Sequence, residues 1–173
     1  MARIALPDNG NLDVINALSM VRPELARAVG SMDAAVASSP LDARVHELVR
    51  MRIAQINQCT VCMAWRTPAA VDAGLTDDVL LAVDRHADLD GLTEGERVAI
   101  QFAEQFSTNS AAIDDALIAR LSEHFQPAEI VELTLVIGKY VAFGRFMQVL
   151  GLDQSCSLEY APGGGVQHNR RDV

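Results

Sequence analysis

Aromatic residues are scarce in this chain, 5% of 173 positions with a single tryptophan. A core built without rings has to be aliphatic, and the abundance of Ala, Val, Leu and Ile suits close helix–helix packing. Positive charge is short as well. Lys and Arg number 14 against 23 Asp and Glu, a net charge of −9, which argues against general binding to nucleic acid or anionic membranes. The one local basic run, RVHELVRMR at 44–52, reads as a solvated helix face. No long uncharged apolar run exists. The most apolar stretch, 130–150, carries Glu132, Lys139, Arg145 and Gln148, so it is not a membrane span.

Residues 1–20 lack a basic segment followed by a continuous apolar one, so no secretory signal is expected. Cysteine is rare and odd in number, three in all. Without a secretory signal that points to the cytoplasm, where a Cys-x-x-Cys is catalytic or metal-binding more often than structural. The length fits one domain with a real core.

Strand signals are missing and helical ones recur. Pro23 opens a helix over 23–37, closed by Ser38-Ser39-Pro40. Asp42 caps the next, in which Leu41, Val45, Leu48, Val49, Ile53 and Ile56 repeat at three- and four-residue steps up to Asn57-Gln58. A following helix carries CTVCMAWRTPAAVDA to a stop at Gly74, with Pro68 awkward inside it. Thr76 caps a short helix, 77–84, and Thr93-x-x-Glu96 is a capping box before a helix bearing Val98, Ala99, Phe102, Ala103 and Phe106. A shorter helix is expected over 112–122. Pro127 opens the longest, 127–150, apolar almost all round with small positions at Gly138 and Gly144. Such a helix is buried on more than one side, and we read it as central and feeding a subunit interface. The tail APGGGVQHNRRDV lacks apolar periodicity and reads as disordered. The reading is all-α, with an N-terminal segment 1–22, a helical domain 23–152 and a flexible tail 153–173.

The chemistry-bearing stretch is QINQCTVCMAWR, residues 55–66. Cysteine reacts as thiolate, which a helix N-terminus favours. Asn57-Gln58 would break the preceding helix and set Cys59 at the start of the next. Cys62 follows one turn later on the same face, so the sulfurs can meet, the first being the more accessible. With a reversal near 57–58, Glu47 lies about ten residues before the turn and Arg66 about eight after. At about 1.5 Å of rise per residue they differ in height by about 3 Å. The expected order is Glu47, residue 66, then Cys62. His46 lies about 100° round the helix from Glu47 and is no obvious substitute for a relay histidine.

Glu47, eleven residues, Cys59-Thr60-Val61-Cys62, three residues and Arg66 together resemble the signature of the alkylhydroperoxidase D-like branch of the carboxymuconolactone decarboxylase superfamily. That signature ends in histidine where Arg66 stands. HELVRMRIAQINQC, LTEGERVAIQFAEQFS and FQPAEIVELTLVIGKYVAFGRFMQVLGL resemble the family's helices, so the likeness spans about 40–152. It implies an alkylhydroperoxidase D-like helical bundle, assembly as homotrimers or homohexamers, and thiol-dependent peroxidase activity without a metal or cofactor. A dithiol reductant such as a lipoylated protein would recycle the disulfide. Cys59 and Cys62 match the redox pair, and Glu47 the relay carboxylate. Arg66 stays protonated and cannot be a general base. It would instead act as a fixed charge held by Glu47, lowering a thiol pKa.

Plainer alternatives stand beside these readings. The cysteines are buried inert thiols or metal ligands, although the histidines at 46, 86, 124 and 168 are scattered. Glu47 pairs with Arg44 or Arg50 on its own helix, and Arg66 with some structural carboxylate. Trp65 is packing, Cys156 is an unpaired thiol, and Tyr140 and Arg145 are candidates to line a cavity. The leading function is a peroxidase cycling Cys59 and Cys62. The alternatives are a decarboxylase-like enzyme with Arg66 binding a substrate carboxylate, and a redox-sensing oligomer without turnover.

Overall fold

Local chemistry sets the helix starts. The computed structural model describes residues 2–86 and 90–152, with the backbone of 157–160 and 166–169. α1 (Asp13–Ser19) and α2 (Pro23–Ala37) come first, the second with proline in its first turn. Asp42 accepts from the backbone N–H groups of Arg44 and Val45 and so opens α3 (Ala43–Ile56). Two short helices follow, α4 (Thr60–Ala64) and α5 (Pro68–Asp72), then α6 (Asp77–Leu81) and a 3-10 turn at Val83–Arg85. α7 (Glu94–Asn109) starts at a complete capping box of Thr93 and Glu96. After a 3-10 turn at Ser110–Ala112, Asp114 caps α8 (Asp115–Ser122). α9 (Pro127–Leu150) ends at Gly151, whose φ of 66° is the left-handed conformation that closes many helices.

The expected single helix over 59–73 is two helices, which is a correction. Trp65 and Thr67 are extended, and Pro68 is the first residue of α5 rather than an interior residue of a longer helix. Proline there donates nothing that the first turn needs.

α3 is the hub, packed against α7 on one side and α9 on the other. Val45, Val49 and Ile53 of α3 meet Val98, Phe102 and Ala103 of α7 and Leu133, Val136 and Ile137 of α9. A second cluster joins Leu48 and Met51 to Leu75, Leu80 and Val83. A third gathers Ala17, Cys59, Met147 and Leu152, with Leu6 and Val14 against them. The N-terminal segment is therefore part of the packing around the first cysteine, and Arg3 N–H donates to the Leu150 carbonyl at 2.8 Å.

The run 44–52 is not a solvated face, a second correction. Arg44 pairs with Glu96, Arg50 with Glu47 and Arg52 with Glu104, so each arginine is drawn to a carboxylate on α3 or α7. β1 (Ser157–Tyr160) and β2 (Val166–Asn169) pair antiparallel, Ser157 opposite Asn169. The domain over 23–152 is all-α as expected, and this hairpin is a short addition in the tail beyond it. It joins two short runs across Ala-Pro-Gly-Gly-Gly, a hairpin signal in sequence. The disorder expected of the tail otherwise falls outside the described residues, as does Cys156. Among the described residues, no helix is long and apolar enough to cross a membrane.

Candidate functional site

The reversal between α3 and α4 builds the cysteine site. Gln58 adopts φ 53°, and the Cys59 N–H folds back to the Ala54 carbonyl at 3.0 Å. Cys59 then caps α4, its sulfur accepting the Cys62 N–H at 3.3 Å. The two cysteines are joined as a disulfide with Cα atoms 5.3 Å apart, inside the usual span of roughly 4.4–6.8 Å. Cys59 is 1% exposed, while Cys62 is half-buried. This reverses the accessibility expected from sequence. The tight turn tucks the first cysteine among Ala17, Met147 and Leu152, and the second packs, half-buried, at the edge of the same cluster.

The expected order Glu47, Arg66, Cys62 is not present. Arg66 donates to Asp77 at 2.7 Å and to the carbonyls of Met63 and Trp65. Helix α4 stops after five residues, and the extended chain at Trp65 swings Arg66 toward α6. Arg50 takes the middle place. Its Nε and Nη2 donate to Glu47 at 2.8 and 2.6 Å, Nη1 to the Cys62 carbonyl at 2.7 Å and Nη2 to the Trp65 carbonyl at 2.8 Å. The guanidinium also lies 5.4 Å from the centre of the Trp65 ring. Arg50 thus ties the middle and the C-terminal end of α4 to α3, and Glu47 compensates its charge.

Two cavities meet at this point. One, about 220 Å³, is lined by Cys59, Cys62, Arg50, Val61, Phe143 and Met147 among others. The second, about 460 Å³, opens on His46, Glu47, Thr67 and Pro68. Asp33, Trp65, Lys139 and Tyr140 line both, so these four form the wall between them. Arg66 lines neither, and Arg145 instead donates to the Ser107 carbonyl.

Tyr140 of that wall shares a hydrogen bond of 3.0 Å with His46, which lines the second cavity. Burial pushes the His46 imidazole below its ordinary range. Glu47 opposes this, whereas Arg50 and Lys139 add to it. Burial likewise pushes the Tyr140 phenol up to about 12, against the pull of Arg50. At neutral pH both are uncharged. Among the described residues, no group of three or more His, Cys, Asp or Glu side chains is placed to hold a metal.

The sequence reading gave Arg50 only as one of two ion-pair partners for Glu47, which the structure bears out, and Lys139 only as a charge in an apolar stretch, and it placed neither in the site. Arg50 was visible as the i+3 partner of Glu47. Lys139 was visible as a cation inside the most apolar stretch of the chain.

The fold is that of the alkylhydroperoxidase D-like helical proteins. Residues 23–105, about half of the chain, match the sequence profile of the carboxymuconolactone decarboxylase family. The chain is 34% identical over 114 residues to an uncharacterized Escherichia coli protein, YnjA, a match taking in 66% of this chain and 63% of that protein. Among solved structures, the fold superposes on an alkylhydroperoxidase D core from Ralstonia eutropha, an uncharacterized peroxidase-related protein. The TM-score is 0.71 and the identity 17%, over 87% of this chain and 90% of that one. It also superposes on the debrominase Bmp8, with TM-score 0.70 and 18% identity over 82% of this chain and 76% of that one. At these identities the structural likenesses speak to fold alone.

Proposed function

We propose that the chain is a thiol-dependent peroxidase whose Cys59 and Cys62 cycle between dithiol and disulfide. The observation that carries this is the joined pair lining an apolar cavity, Cys59 buried and Cys62 half-buried. The less buried member attacks. The Cys62 thiolate takes the outer oxygen of a hydroperoxide, forming an S–O bond and breaking O–O. The departing alkoxide gains a proton and leaves as an alcohol, and Cys62 is left as a sulfenic acid. Cys59 then attacks Cys62 sulfur. The S–S bond forms, S–O breaks, and hydroxide leaves with the Cys59 proton as water. An external dithiol, such as that of a lipoylated protein, reduces the disulfide by exchange through a mixed disulfide.

Arg50 holds the Cys62 and Trp65 carbonyls in place for this cycle, with Glu47 as its counter-charge. These two are positioning residues. Arg66, bound to Asp77 outside both cavities, is not where a cationic activator or a carboxylate binder would act. The decarboxylase-like alternative thereby loses Arg66 as its carboxylate binder. A reducing compartment such as the cytoplasm suits the dithiol state. Assembly as a homotrimer or homohexamer would cover the exposed apolar residues of α9, Val131, Leu135 and Val149.

The test is to oxidise the reduced protein with stoichiometric hydrogen peroxide, then with an organic hydroperoxide, and count free thiols by intact mass after alkylation. Rapid, dithiol-reversible loss of two thiols mapped to Cys59 and Cys62 is expected. Thiols reacting no faster than free cysteine would overturn the proposal.

A further inference from the structure

Two cations line the cysteine cavity, and they are held in different ways. Arg50 is engaged through Nε and both terminal nitrogens by Glu47 and two carbonyls. Lys139 sits on α9, its side chain 8% exposed, with Nζ 2.5 Å from Asp33 Oδ1. Its other described contacts are the faces of Tyr140 and Phe143, at 4.3 and 5.2 Å from the ring centres. Asp33 is 60% exposed.

This is an unequal pair. Withdrawing a lysine from water is costly unless its partners are good. A carboxylate that remains mostly in water is a weak, screened partner. For packing alone, an aliphatic residue at 139 would serve the apolar helix better. The lysine instead faces the wall between two cavities, and Asp33 lines both. Asp33 is moreover the only acid in the described lining of the cysteine cavity. It occupies the position that an incoming anion would take, and exchanging it for a ligand carboxylate leaves the local charge unchanged.

From this geometry we infer that Lys139 is the anchor for a substrate carboxylate, with Asp33 as its internal stand-in. Resting on the peroxidase reading, the favoured substrate is then a hydroperoxide with an apolar body and one carboxylate. Ile53, Val61, Phe143 and Met147 enclose the body, and Lys139 takes the charge. At about 220 Å³ the cavity is more than ten times what one water needs, roughly 15 Å³. It is built for an organic molecule rather than for hydrogen peroxide. A single lysine without a guanidinium fork suits a monoanion better than a phosphate.

Trp65, the only tryptophan, lines both cavities and reports binding without any turnover. Its emission in the reduced protein is titrated with 4-isopropylbenzoate and with the neutral 4-isopropylbenzamide. The acid is expected to bind about tenfold tighter, as a charge-assisted contact implies. Lys139→Met should collapse that ratio, and Asp33→Asn, an exposed change that spares the core, should widen it. Equal affinities for acid and amide, or a ratio that neither variant moves, would overturn the inference.

In parallel, kcat/KM is compared for cumene hydroperoxide and its para-carboxylate, the latter being preferred. Turnover of both without preference leaves the peroxidase standing and removes the carboxylate site. Turnover of neither, with acid binding that depends on Lys139, removes the peroxidase and leaves the carboxylate site.

Discussion

The Arg50 guanidinium closes on the Glu47 carboxylate through two hydrogen bonds, and both side chains are almost wholly buried, 2% and 1% exposed. A pair withdrawn this far from water gains little over an apolar replacement, but removing one partner strands the other. Arg50→Met should therefore cost about 3–5 kcal/mol in urea unfolding and release the Cys62 and Trp65 carbonyls. The double change Glu47→Gln, Arg50→Met should be less unstable than the sum of the single changes. Additive losses would mean that the two residues act separately.

The cysteines should differ in reactivity once reduced. Cys59 is packed among Ala17, Met147 and Leu152, and Cys62 is half-buried. Limited alkylation followed by peptide mapping should label Cys62 well before Cys59. Under peroxide, Cys59→Ser should accumulate a sulfenic acid at Cys62 that dimedone traps, while Cys62→Ser should yield no such adduct. Trapping at Cys59 instead would reverse the assigned roles.

Arg66→His places a histidine where the family signature has one, yet no large gain in peroxide reduction is expected. The backbone at 66 directs the side chain toward Asp77, and Glu47 is already occupied by Arg50. Stability should fall by no more than about 1 kcal/mol, because Asp77 is largely exposed. A rate increase of tenfold or more under stoichiometric peroxide would show that the loop rearranges to rebuild a relay.

These outcomes mark where sequence reading succeeds and where it stops. Asp42, Thr93 with Glu96, and Pro127 announce their helices because capping is local chemistry, complete within four residues. α1 has no side-chain cap at Leu12, and its residues went unread as a helix. The relay order failed for a different reason. It assumed a helix of at least eight residues after the reversal, and α4 ends after five. Which of Arg50 and Arg66 meets Glu47 depends on that difference, and Pro68 was its one visible hint.

The His46–Tyr140 contact predicts a pH dependence of stability. Burial holds the imidazole below its ordinary value of about 6.5, so the unfolded chain binds the proton more readily than the folded one. The stabilising contribution is complete above about 6.5 and is lost as pH falls from there through the folded value. Urea midpoints measured downward from neutral should drop less steeply in His46→Gln than in the parent. Parallel slopes would remove His46 from the account.

The two glycines of α9 should respond in opposite ways. A Cβ on Gly144 would run into the Asn57 side chain. Asn57 is 2% exposed, and its Nδ2 donates to the Tyr140 carbonyl at 3.2 Å. It also sits in the turn that positions Cys59, so Gly144→Ala should cost about 1–3 kcal/mol and slow the redox cycle together with the stability loss. A Cβ on Gly138 meets nothing within 4 Å. In an isolated subunit Gly138→Ala should stabilise by up to about 1 kcal/mol through helix propensity. A loss there, accompanied by a smaller particle in light scattering, would mean that a second copy of the chain packs against the Gly138 face of α9. In that case the exposed Leu135 and Val131, about one and about two turns away respectively, become the next residues to change.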